Sequence, residues 1–190
     1  MTYDNSVPGV DRKGNWMQTY TGRMFWPVDP RADEVHIHDI AHALANACRF
    51  GGHCKRFYSV AEHSVLCSYL VPQEMALTAL MHDATEAYVC DIPRPLKPFL
   101  EGYAAIEQRV WEAIADRYSL PYQLPAEVKE ADNAMLLAEQ RDIMLPPPAP
   151  WSVPGYPAIF RVVGLSPDEA EGQFLQRFEQ LAGQIDGLPY

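Results

Sequence analysis

The sequence predicts an all-α fold, one helical bundle with a small hairpin near its N-terminus. Three observations carry that reading. Apolar residues return at three- and four-residue spacing over successive stretches of the chain. Helix-start signals stand in front of several of those stretches. Strand signals are scarce, and the clearest is a short aromatic run at 20–27. A chain of 190 residues suits a single domain with room for a sizeable core.

The elements follow in order. Residues 1–19 are polar with scattered Gly and Pro, and read as a flexible arm ahead of one domain at 20–190, whose core spans 38–144. Residues 20–27 carry a Thr-Gly turn signal and read as the hairpin, ended by Pro27 and Pro30. His38 or Asp39 is placed to cap a helix over 40–48 that buries Ile40, Ala43, Leu44 and Ala47; Gly51 and Gly52 break it. Ser59 with Glu62 reads as a capping box opening a helix over 60–70, with Val71-Pro72 behind it. Residues 73–89 read as one continuous helix whose apolar face holds Leu77, Leu80, Met81, Ala84 and Tyr88. Three prolines stiffen the loop from Asp91. Residues 103–118 are strongly amphipathic, and 125–144 form a further helix carrying Asp132. Residues 145–157 are proline-rich and irregular. Ser166-Pro167-Asp168-Glu169 opens a last helix to about 181.

The formal net charge is -10, with only 15 Lys and Arg. That balance excludes a general binder of nucleic-acid polymers, which needs a basic stripe. It leaves room for a small anionic ligand held by a few local cations. Cys48, Cys54, Cys67 and Cys90 show no C-x-x-C pairing, no signal peptide is visible, and reduced thiols in a cytoplasmic protein are the expectation. No apolar run is long enough to span a membrane. An amphipathic last helix suggests a homo-oligomer.

The chemistry concentrates in the 73–89 stretch. His82, Asp83 and Glu86 sit among apolar residues, and His82 and Glu86 share a helical face. Such groups are costly to bury unless paired or ligated. With His63 and Asp132 they offer two imidazoles and two carboxylates, a mixed set suited to one divalent ion such as Mn, Co, Fe, Zn or Mg. A bound ion of that kind acidifies water. Glu86, one turn beyond the metal-binding pair, is placed for general acid/base work. Arg49 ahead of Gly51-Gly52, and Arg94 and Lys97 on the stiff loop, supply cations suited to phosphate. Phe50, Phe57, Tyr58 and Tyr88 are candidates to line a base pocket.

Glu62-His63-Ser64, His82-Asp83-Ala84-Thr85-Glu86, the loop from Asp91 to Lys97, and Lys129-Glu130-Ala131-Asp132, in this order, resemble the HD-domain phosphohydrolases. The similarity is greatest to the small 5'-deoxynucleotidase branch and its phage relatives, and covers roughly 40–144. The resemblance implies one metal ion on His63, His82, Asp83 and Asp132, and catalysis by Glu86 with Asp83. It implies Arg49 and Lys97 as the phosphate-binding pair and Asp91 at the sugar hydroxyl, favouring deoxyribose. Phe50 stands where that branch often has Trp. The implied activity is hydrolysis of the 5'-phosphate of deoxynucleoside monophosphates, a small-molecule reaction. Phage relatives imply a dATP triphosphohydrolase as the alternative. A regulatory module that binds nucleotides without turnover is the more distant one.

Overall fold

The computed structural model describes residues 11–183. Its elements are β1 (Met17–Gln18), β2 (Met24–Phe25), α1 (Ile37–Asn46), α2 (Val60–Cys67), α3 (Ala76–Met81), α4 (Glu86–Val89), α5 (Tyr103–Tyr118), α6 (Ala126–Ile143) and α7 (Pro167–Ala182), joined by short 3-10 turns. The protein is mostly helical, as expected, and the small hairpin is present. Its first strand lies earlier than the 20–27 run: Met17 pairs with Phe25 and Gln18 with Met24, antiparallel.

The expected flexible arm falls partly outside the described residues. Within them, Arg12 is fastened to the body. Its guanidinium bonds Asp29 at 2.8 Å, contacts Glu34, and stacks 4.3 Å over the Trp26 ring.

Helix α1 begins three residues before the expected start, after His36. Asp39 is therefore inside the helix. Its buried carboxylate accepts from the Thr21 backbone N–H and hydroxyl at 2.6 and 3.0 Å, tying the hairpin turn down. Glu62 behaves likewise. Ser59 Oγ does accept from Glu62 N–H at 3.1 Å, but the Glu62 side chain does not turn back to complete a capping box. It accepts instead from the backbone of Gly164 and Leu165 at 3.2 and 2.7 Å. Helix α2 stops at Cys67, short of the expected 70, where Arg177 of α7 bonds Ser68 Oγ and the Ser68 carbonyl at 3.0 and 3.2 Å. The start of α7 matches expectation, with Pro167 at its first position and a full Ser166–Glu169 capping box.

Helix α7 packs across α1, α2 and α3, while α6 lies against α2 and α3. The main core joins Ile40 and Leu44 of α1, Leu80 and Met81 of α3, Ile114 of α5 and Phe174 and Phe178 of α7. Each such side chain contributes about 1.5–3 kcal/mol through burial. A second apolar cluster gathers Tyr58, Cys67, Met135 and Ile143 with Ala158 and Val162. The proline-rich segment therefore folds back along α6, and Arg141 donates to the carbonyls of Ala158 and Phe160 at 3.0 and 2.7 Å. No helix of the described residues is long and apolar enough to cross a membrane.

Candidate metal centre

The 73–89 stretch is not one helix. α3 ends at Met81, four residues run as turns, and α4 starts at Glu86. The break has a local cause. His82 Nδ1 donates to the Ala79 carbonyl at 2.7 Å, a carbonyl that an unbroken helix would reserve for a backbone N–H four residues on. The backbone tightens to three-residue bonds, Ala84 N–H to Met81 and Glu86 N–H to Asp83. His82 and Asp83 thereby project from a turn.

His63 comes from the middle of α2 and is wholly buried. Its Nδ1 donates to Glu139 Oε1 at 2.6 Å. With the Nδ1 of each ring committed as a donor, neutral rings turn their Nε2 lone pairs toward each other at 3.3 Å. Against the opposing effect of burial, Asp83 and Asp132 raise His82 and favour its protonated form when no metal ion is bound. Two bare imidazole nitrogens repel at that distance unless a cation lies between them. Asp83 Oδ2 is 3.3 Å from His82 Nε2 and 3.6 Å from His63 Nε2, and Asp132 Oδ1 is 3.6 Å from His63 Nε2. Cys67 lies one turn after His63, with its Sγ 3.5 Å from His63 Nε2. His63, Cys67 and His82 make a buried group able to hold a metal ion, with one donor atom of each within 4.8 Å of the others. Burial pushes the Cys67 thiol well up, and the charges of Asp132, Glu139 and Asp83 add to it.

The other expected site residues distribute unevenly. Glu86 is 8 % exposed, and its Oε2 is buried without a hydrogen-bond partner among the described residues. Burial, with the charges of Asp83 and Asp91, pushes its carboxyl up to about 9. Burial also raises Asp91, beside Asp83 and against the pull of Arg49. Arg49 is brought in by a bridge between Cys48 and Ser59, where its N–H meets the Tyr58 carbonyl at 2.9 Å. It is buried, with Nη1 3.3 Å from Asp83 Oδ2, Nη2 3.2 Å from Glu139 Oε2, and Nε without a hydrogen-bond partner among the described residues. Lys97 is turned aside: its Nζ bonds Glu107 Oε1 at 2.8 Å and lies 5.6 Å from the Tyr103 ring centre. Phe50 has a left-handed backbone at φ 57, ahead of Gly51 and Gly52 at φ 59 and 82. Its ring lies 5.5 Å from the Arg49 guanidinium and 6.0 Å from the Trp151 ring.

Glu139 and Trp151 were not read from the sequence, nor was the pairing of Arg94 and Lys129 with Asp132. Glu139, wholly buried, joins Arg49, Tyr58 and His63. Its signal was available, since it follows Asp132 by seven residues, two turns along one face of α6. Asp132 is held by Lys129 at 2.6 Å and approached by Arg94 at 3.5 Å, so Arg94 is tied to the site despite its exposure. Trp151 reaches Phe50 from an irregular segment that periodicity does not describe. A cavity of about 680 Å³ adjoins His82, Asp83 and Thr85, walled by Glu107, Gln108 and Trp111.

No protein-family model matches the sequence. An uncharacterized protein of Escherichia coli K12, YfdR, is 46% identical over 171 residues, covering 88% of this chain and 96% of that protein. An uncharacterized protein of Rhodobacter capsulatus is 36% identical over 132 residues, covering 64% of this chain and 67% of that protein. Identity at that level, sustained across nearly the whole of the Escherichia coli protein, means that the chain belongs to the YfdR family.

Proposed function

We propose that the protein is a metal-dependent phosphohydrolase of the HD-domain type, acting on deoxynucleotides and releasing the 5'-phosphate of deoxynucleoside monophosphates. The observation that carries the reading is the convergence at His63 Nε2, where the His82 nitrogen and one oxygen each of Asp83 and Asp132 lie within 3.3–3.6 Å. In this reading His63, His82, Asp83 and Asp132 hold one divalent ion. The two carboxylates complete a mixed nitrogen and oxygen set with the imidazoles, and Cys67, with Sγ 3.5 Å from His63 Nε2, is a further donor within reach. The ion supplies a positive charge for phosphate oxygens and acidity for a water nucleophile.

The chain's own residues do the rest. Glu86 carries a carboxyl oxygen with no hydrogen-bond partner among the described residues and a proton held to about pH 9, which suits donation to a leaving sugar oxygen. Arg49 sits in contact with Asp83 and offers a fixed guanidinium to the phosphate. Lys97, bonded to Glu107, adds positive charge that interacts with Glu86 and Asp83. In this reading Asp91, a half-buried carboxyl near Asp83 and Arg49, is assigned to the sugar hydroxyl. Phe50 backs the guanidinium with an aromatic surface, and the cavity beside Asp83 has the volume of a nucleotide site.

The test is product analysis. Protein loaded with Mn or Co is incubated with dAMP, dATP, AMP and ATP. Free phosphate from dAMP, with AMP poorly used, is the expected result. Tripolyphosphate from dATP moves the assignment to the triphosphohydrolase alternative. No release from any deoxynucleotide defeats the hydrolase reading.

A further inference from the structure

We infer that Glu139 is a positioning residue that couples cation loading at His63 to oxyanion binding at Arg49, an inference that rests on the ligand set given above. Glu139 makes three hydrogen bonds from a fully buried position. Oε1 accepts from Tyr58 Oη at 2.9 Å and from His63 Nδ1 at 2.6 Å; Oε2 accepts from Arg49 Nη2 at 3.2 Å. One carboxylate thus holds a metal-ligand imidazole and a phosphate-binding guanidinium together.

Two consequences follow. The bond to His63 Nδ1 fixes the tautomer that leaves Nε2 bare toward His82. The bond to Arg49 Nη2 keeps the guanidinium in place whatever happens at its other end. That other end, Nη1, rests on Asp83 Oδ2, the same oxygen that faces both imidazole nitrogens. A cation that draws on Asp83 Oδ2 weakens its bond to Arg49 Nη1. Arg49 cannot follow, because Glu139 retains Nη2, and its buried Nε has no hydrogen-bond partner among the described residues. An oxyanion then gains donors that the protein no longer satisfies. Cation binding therefore strengthens anion binding, and by linkage the anion strengthens cation binding by the same factor.

Isothermal titration of the full chain with Co(II), with and without inorganic phosphate, reads this directly without turnover. Wild-type protein should bind Co(II) at least about 5-fold more tightly in saturating phosphate. Glu139→Gln presents an amide N–H₂ to either His63 or Arg49; its Co(II) affinity should fall about 10- to 100-fold and the phosphate enhancement should vanish. Tyr58→Phe removes a donor to the same buried carboxylate while leaving its bonds to His63 and Arg49, and should leave Co(II) affinity within about 2-fold. Arg49→Lys keeps the His63 tether, and should bind Co(II) nearly as wild type while losing the phosphate enhancement. That variant decides the matter if Glu139→Gln does not fold. A wild-type Co(II) affinity indifferent to phosphate, or an enhancement that survives in Arg49→Lys, overturns the coupling. Coupled binding without hydrolysis of any deoxynucleotide defeats the hydrolase reading alone; hydrolysis without coupling defeats this inference alone.

Discussion

Glu62 and Glu86 are both buried carboxylates, 4 % and 8 % exposed, and burial raises both above the ordinary carboxylate range. Their surroundings differ. Glu62 is answered by the backbone N–H groups of Gly164 and Leu165, so its polarity is spent on holding the returning tail against α2. Glu86 stands three residues past Asp83 with one oxygen unanswered among the described residues. Burial of a carboxylate therefore does not mark a working site by itself. The mark is a buried acceptor left open beside groups that can position a ligand.

The comparison breaks most sharply at Glu86. Glu86→Gln should lower phosphate release from the preferred deoxynucleotide by about 10²–10⁴-fold. Its urea midpoint should stay level, because the protonated carboxyl and the amide are both neutral and Oε2 has no hydrogen-bond partner to lose among the described residues. Retention of more than a tenth of wild-type turnover, or a marked fall in the midpoint, would put Glu86 in the same structural class as Glu62.

Gly164→Ala should show the reverse pattern. Gly164 has φ +79, and a Cβ there would come within 2.6 Å of the Phe57 carbonyl oxygen, a backbone atom that cannot swing aside. The expected loss is roughly 2–4 kcal/mol of stability in urea unfolding. Co(II) affinity measured on the folded protein should be unchanged, since the residue lies at the tail clasp rather than among the imidazoles. Glu62→Ala acts on the same clasp from the other side. It leaves two backbone N–H groups without their acceptor, which costs about 1–3 kcal/mol. Turnover per folded molecule should match wild type. A variant that unfolds easily and also binds Co(II) weakly would show that the clasp and the proposed metal centre are one cooperative unit.

Much of this contrast was legible in residue order, and the part that was not has a physical reason. Helical spacing gave the bundle, and the ordered His63, His82-Asp83 and Asp132 pointed to groups that the fold does bring together. Local rules misplaced Asp39 and Glu62 because each has the chemistry of a cap; tertiary partners at Thr21 and at Gly164–Leu165 outbid the helix ends. The same competition broke the 73–89 helix, since a side-chain bond from His82 to Ala79 is invisible to apolar periodicity. Trp151 and Arg141 escaped because the proline-rich segment has no period, and its position is set by contacts with α6 and Phe50. Glu139 was readable from its two-turn spacing to Asp132, yet a lone Glu on a charged helix ordinarily reads as solvated surface.

The smallest effect tests how far the clasp resembles a site in its electrostatics. Asp142 accepts two bonds from Arg141, at 2.8 and 2.7 Å, and one from the Val162 backbone at 2.9 Å. The Arg141 bond, aided by Val162, lowers its carboxyl to about 2 despite partial burial. A folded-state value below the unfolded one means that the ionised form stabilises the fold. That stability is fully present above the unfolded carboxylate range near ~4 and is lost as pH falls through about 2. Asp142→Asn should therefore be less stable than wild type at pH 6, by no more than about 1 kcal/mol because Arg141 is largely solvated. The difference in urea midpoint should shrink as the pH is lowered from about 4 toward 2. A gap that stays constant over that window would assign the cost to lost hydrogen-bond geometry at Val162 and Arg141, with charge contributing nothing. The clasp would then differ from the metal centre in kind, held by directional bonds alone, whereas the centre gathers charge that its own residues leave only partly answered.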